Sequence, residues 1–147
     1  KMDNGMTVGE YAKATMLDEI ERAVILCNKA DEYDVPALTD DEEKQCASKA
    51  EDYMASIGED IATQFSVEQS AVLAIYEKDA LSMKVYNQIL ENLSETLRQE
   101  DDYKDMEDSE FEQVLNDKFE EQYAQWKDTC KVETTETWEQ LVIGAVG

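Results

Sequence analysis

This chain of 147 residues contains no histidine. Its absence removes the Ser-His-Asp and Cys-His catalytic arrangements and the usual zinc and haem ligand sets. A di-iron bundle, which needs Glu-x-x-His pairs, goes with them. Proline occurs once and glycine five times, so breakers are scarce and no glycine-rich phosphate loop is present. Cys27, Cys46 and Cys130 form no CxxC pair, and their number is odd. They read as small buried hydrophobes, with a Cys27–Cys46 bridge as the alternative. No apolar run reaches the roughly 18 residues that would span a membrane. Cations are few: 13 Lys plus Arg stand against 36 Asp plus Glu, for a net charge of −23. Such a surface repels phosphate backbones and anionic membranes, which disfavours nucleic acid as a partner.

What is present is helical. Hydrophobic residues make up 42% of the chain, enough for a core in one domain of this length. Thr7 and Glu10 have the spacing of a capping box, and Leu17, Ile20, Val24 and Cys27 follow at helical spacing. Leu26 and Ala30 widen that stripe, and the helix is expected to run to about Tyr33. Pro36 biases Val35 away from helix, so a connector follows. A second box, Thr39 to Glu42, opens a helix with four acids in its first turn, where the helix dipole favours them. Its apolar face is Cys46, Ala50, Tyr53 or Met54, and Ile57, and Gly58 is expected to end it. "EDIATQF" reads as a short helical turn. Ser66 and Gln69 suggest a third box before a long helix carrying Leu73, Tyr76, Ala80, Met83, Tyr86, Leu90 and Leu93, up to about Leu97. "RQEDDYKDMED" reads as a linker or frayed end. Ser109 and Glu112 then open a last helix with Phe111, Val114 or Leu115, Phe119, Tyr123 and Trp126 on its stripe. "KVETT", starting at Lys131, is the one expected strand.

The acidic clusters do not spell a calcium loop. "DDYKDMEDSE" lacks the central glycine, and "DEYDVPALTDDEE" has the wrong spacing. No carboxylate pair stands out for acid–base chemistry, and neither a cofactor nor a metal ion is expected. The residues alone define an acidic helical domain with one terminal strand.

Several stretches together resemble a known family. Lys29-Ala30 followed by "LTDDE" (38–42) looks like the turn between the first helices of SurA/PrsA-type extracytoplasmic foldases. "IYEKDALSMKVYNQIL" (75–90) looks like their next helix, and "FEEQYAQWKDTCKVETTETWEQLVI" (119–143) is similar to their returning helix and strand. The resemblance spans residues 7–97 and 109–143. It implies a single chaperone domain over 1–147, with a helical core at 7–97, a linker at 98–108 and the returning helix and strand at 109–147. In this family the last strand pairs with an N-terminal strand, and a tryptophan packs beneath it. The family is associated with peptidyl-prolyl isomerase activity through a parvulin domain. Here residues 98–108 stand in that domain's place, so isomerase activity is not expected.

The location implied is outside the cytoplasm (secreted, periplasmic or lipid-anchored at the cell surface), with the signal segment not in this chain. The partners implied are unfolded or extended client polypeptides, bound in an apolar cleft lined by Tyr76, Met83, Tyr86, Phe111, Phe119, Tyr123 and Trp126. A strand from Lys131 to Thr134 without its partner would offer an open edge for a homodimer. The alternative to a chaperone domain is an acidic interaction module, such as a nucleic-acid mimic that binds a basic partner protein.

Overall fold

A computed structural model describes residues 5–141 and is all-α. Its helices are α1 (Val8–Asn28), α2 (Asp40–Gln64), α3 (Gln69–Leu97), α4 (Asp108–Thr129) and the short α5 (Glu136–Gln140). Residues 1–4 and 142–147, which include Ile143 at the end of the resemblance, lie outside the described residues.

Local chemistry sets the first two helix starts. The Glu10 carboxylate accepts from the Thr7 amide at 2.7 Å while the Thr7 hydroxyl accepts from the Glu10 amide at 3.2 Å. Thr39 and Glu42 repeat the exchange at 2.7 and 3.3 Å. Each box satisfies two amides that a helix start would leave without partners.

The expected third box does not form. α3 starts at Gln69, with Glu68 at its cap and no capping side chain. Ser66 is already committed to closing α2. It adopts a left-handed φ of 53°. Its amide bonds Thr63 O at 3.3 Å, and the Val67 amide bonds Ala62 O at 2.8 Å, a Schellman closure that satisfies the last carbonyls. Asp34, also left-handed, ends the turns after α1 in the same way, with the Val35 amide on Ala30 O at 2.8 Å. Gly58 breaks α2 as expected, with φ 79°, but helix resumes directly beyond it to Gln64.

α3 is the spine, packed by α1, α2 and α4. Tyr86 of α3 meets Phe119 of α4, and Arg98 at the end of α3 meets Phe111 near the start of α4, so the two helices run antiparallel. α4 is also pinned to α1. Arg22 forks onto Glu120 at 2.8 and 3.3 Å, and Lys127 reaches Asp18 at 3.0 Å and Glu21 at 3.6 Å. The central core is Ile25, Leu26, Val35, Val85, Ile89, Phe119 and Tyr123. Cys46 and Ala50 bury the face of α2.

The buried side of α3 is Val72, Ser82, Val85, Ile89 and Leu97, offset from the stripe read at Leu73 to Leu93. Ser82 can occupy this position because its hydroxyl donates to Asp79 O at 2.8 Å. With neighbours on three sides, α3 half-buries the expected stripe too, except Met83, which stays exposed.

The expected strand is not there. Residues 131–134 are extended, but no strand exists among the described residues. An extended segment becomes a strand only when another pairs with its amides and carbonyls. Thr135, read as the strand's end, instead caps α5 by accepting from the Trp138 amide at 3.2 Å. The segment heads back along α1, where Lys13 donates to Glu139 O at 3.2 Å and stands 5.6 Å from the Trp138 ring centre.

The second capping box carries a pH signature. Lys84 donates to the Glu42 carboxylate at 2.8 Å, and this bond, followed by that of the Thr39 amide, holds the Glu42 carboxyl below its ordinary value. A depressed folded value stabilises the fold above the unfolded value and loses that contribution as pH falls through the folded one. Glu42→Gln keeps the box geometry but removes the charge. Urea unfolding should therefore find the variant weaker at neutral pH, with the gap closing below about pH 4. A gap that does not change with pH would assign the effect to something other than the carboxylate charge.

Candidate functional site

The aromatic stripe of α4 lies mostly inside. Phe119 is fully buried, and Phe111 and Tyr123 are buried. Tyr86, half-buried, stands edge-on to Phe119 with centroids 4.7 Å apart, and its hydroxyl donates to Asn116 at 3.2 Å. Trp126, also half-buried, meets the Tyr33 ring edge-on at 6.2 Å. Cations from other elements cover these rings. Arg22 lies 5.0 Å from Phe119 and 4.9 Å from Tyr123, Lys29 4.8 Å from Trp126, and Arg98 3.8 Å from Phe111. Burial raises the pKa of Tyr123, with the Lys127 and Arg22 charges acting the other way. These five residues hold α4 to α1, α3 and the loops; they do not face a cleft together.

The open apolar surface lies toward the N-terminal half of α3. Between α1 and α3 lies a groove of about 400 Å³, walled by Met16, Ile20, Ala23 and Ile75 with Glu19, Lys78 and Asp79 also lining it. Ile20 and Ile75 are 50% and 62% exposed, unusual for isoleucine. Ile75 also walls a second cleft, of about 430 Å³, with Tyr53, Phe65, Val72 and Tyr76. The closure at Ser66 leaves Phe65 projecting, 65% exposed. A third cleft shares Glu19, Ala23 and Asp79 with the first and contains Met83, 55% exposed. The first two join through Ile75 into an apolar band along α3, and the third, half lined by Glu19, Arg22, Asp79 and Ser82, adjoins the first.

Of the seven residues read from the sequence, Tyr76 lines the second cleft and Met83 and Tyr86 line the third. Met16, Ile20, Phe65 and Ile75, all exposed and lining the first two clefts, are not among the seven. Ile20 falls on the apolar stripe expected of the first helix but stays exposed, because periodicity marks an apolar face without saying what covers it.

On its other flank Ile20 borders a cleft of about 350 Å³ whose far wall is the chain's own extended stretch from Cys130 to Glu133. The apolar face of α1 is thus lined on one side by extended backbone and open on the other.

Beneath the band the Cys27 thiol donates to Lys78 O at 3.3 Å and ties α1 to α3. Burial raises its pKa, so the thiolate needed of a nucleophile is disfavoured. Cys46 is buried, Cys130 is exposed, and all three thiols are free. Among the described residues no group of three or more cysteines and carboxylates gathers to hold a metal ion, and no helix is long and apolar enough to cross a membrane. Comparison with known proteins finds no matching family model, no similar curated protein and no similar solved structure.

Proposed function

We propose that this domain binds extended or unfolded polypeptide through the apolar band on α1 and α3, as a chaperone domain of the SurA/PrsA-like kind acting outside the cytoplasm. The observation that carries the reading is the band itself. Four large side chains, Met16, Ile20, Phe65 and Ile75, stay 43 to 65% exposed in adjoining clefts, and contiguous apolar surface of this kind is characteristic of binding sites. An extended occupant fits, because α1 already borders extended backbone on the flank of Ile20 that faces Cys130 and Glu133. The high negative charge keeps loaded molecules apart and limits aggregation.

The test is the double variant Ile20→Ser/Ile75→Ser. Both side chains are already half in water, so melting should shift by only a few degrees, roughly that of ordinary surface changes. Affinity for an unfolded client should fall about tenfold, since part of two isoleucine transfer energies is lost. Light scattering of an aggregating client, run beside melting curves, reads both. Undiminished protection by the double variant would end the groove reading. The net charge of −23 favours a second reading, an acidic module for a basic partner. Binding of that kind collapses with added salt, whereas apolar client binding largely survives it.

A further inference from the structure

We infer that the band selects polypeptide segments in which a short apolar run is flanked by lysine or arginine. The inference rests on the groove reading above and names the class of segment the groove takes. Its ground is the charge at the rim. Glu19 and Asp79 edge the first and third clefts and Glu68 edges the second. All three are exposed, and none forms an ion pair among the described residues. The cations nearby are largely committed: Arg22 to Glu120 at 2.8 Å and Lys84 to Glu42 at 2.8 Å. Lys78 alone sits at the rim without a carboxylate partner among the described residues. The groove therefore presents apolar walls with a surplus of negative charge at its edges, and the chain's overall charge reinforces that field.

Spacing along α3 sets the length. Glu68 precedes the helix and Asp79 lies eleven positions on, so about 16 Å of helix separates them at ~1.5 Å per residue. Extended chain covers that distance in about five residues at ~3.3 Å each. The segment that places its apolar side chains on Val72, Ile75 and Ile20 thus brings a residue near a carboxylate at each end. A lysine there gains an attraction, and a glutamate meets repulsion.

The experiment uses labelled, end-blocked peptides with about five apolar residues between two lysines, two serines or two glutamates, the length following from the spacing above. Binding is followed by fluorescence anisotropy. The lysine peptide should bind roughly tenfold tighter than the glutamate peptide at low ionic strength, with serine between them. Added salt should draw all three toward the serine value. The charge-reversal variant Glu68→Lys/Asp79→Lys, at two exposed positions, should cancel the preference for the lysine peptide over the serine and glutamate peptides. If lysine and glutamate peptides bind within about twofold of each other, yet both lose affinity in Ile20→Ser/Ile75→Ser, the groove stands and charge selection is overturned. A lysine preference that survives the reversal arises from the overall charge, and overturns the rim's role. If no peptide binds at all, both readings fall together.

Discussion

Phe119→Ala should cost about 3–5 kcal/mol of stability, the largest single effect expected in this protein. Phe119 is fully buried where α1, α3 and α4 converge. Tyr86 stands edge-on to it at 4.7 Å, Tyr123 stacks at 6.2 Å, and Arg22 lies 5.0 Å from its centre. Removing the ring leaves a cavity that these partners close only by giving up their own contacts. Tyr86 would lose the contact that sets its hydroxyl on Asn116, and Arg22 one of the two rings it covers. For a domain of this size each kcal/mol moves the melting temperature by roughly 2–4 °C, so a drop of about 10 °C or more is expected. Denaturant unfolding with an unchanged m-value would confirm a loss of stability without a change of fold. A cost below about 1 kcal/mol would mean that Phe119 is solvated in solution, and the α4 stripe would return as a cleft candidate.

That contrast shows what single-helix patterns could and could not convey. Thr7, Glu10, Thr39 and Glu42 interact only with their neighbours in sequence, so their boxes were readable and formed as expected. Ser66 carried the same signal and failed, because closing α2 and opening α3 compete for one residue and the closure won. The apolar stripe of α4 was equally readable, but its burial depends on side chains from other elements, Ile25, Val85 and Ile89 in the core and Arg22, Lys29 and Arg98 over the rings. Nothing in the spacing of Phe111, Phe119 and Tyr123 announces them. In α3 the true centre includes Ser82, and a polar residue there reads as surface until its hydroxyl is seen bonded within the helix. Ile20 and Ile75 show the converse: they have the residue type of a core and the exposure of a surface. The extended stretch at 131–134 was recognisable from its β-branched residues, but a strand also needs a partner, and none lies among the described residues.

Arg98 carries the second large expectation, because it turns an acidic connector into ordered structure. The segment between α3 and α4 has the composition of a frayed linker, yet it folds around this one side chain. The guanidinium donates to Tyr103 O at 3.0 Å and Met106 O at 2.8 Å, pairs with Asp108 at 2.9 Å, and lies 3.8 Å from the centre of the buried Phe111 ring. α4 starts at Asp108 behind Glu107, which supplies no side-chain cap, and the Asp108 carboxylate in its first turn is the one Arg98 pairs with. Arg98→Met keeps an apolar stem on Phe111 but leaves the Tyr103 and Met106 carbonyls without their donor, while the exposed Asp108 carboxylate returns to water. The expected cost is about 2 kcal/mol, the scale of charge-assisted hydrogen bonds discounted for partial exposure. Arg98→Lys should recover only part of it, since an ammonium lacks the planar fork that serves three acceptors at once. The loop should also open locally. Tyr103, half-buried in the native turn, would become a chymotrypsin site, and mass spectrometry would find fragments 1–103 and 104–147 early in the digest. Early cleavage in Arg98→Met under conditions where the native protein stays whole is the outcome expected of a loop organised by one cation. Equal resistance and equal stability would show that the connector holds its shape through its own turns, with Arg98 only resting on it.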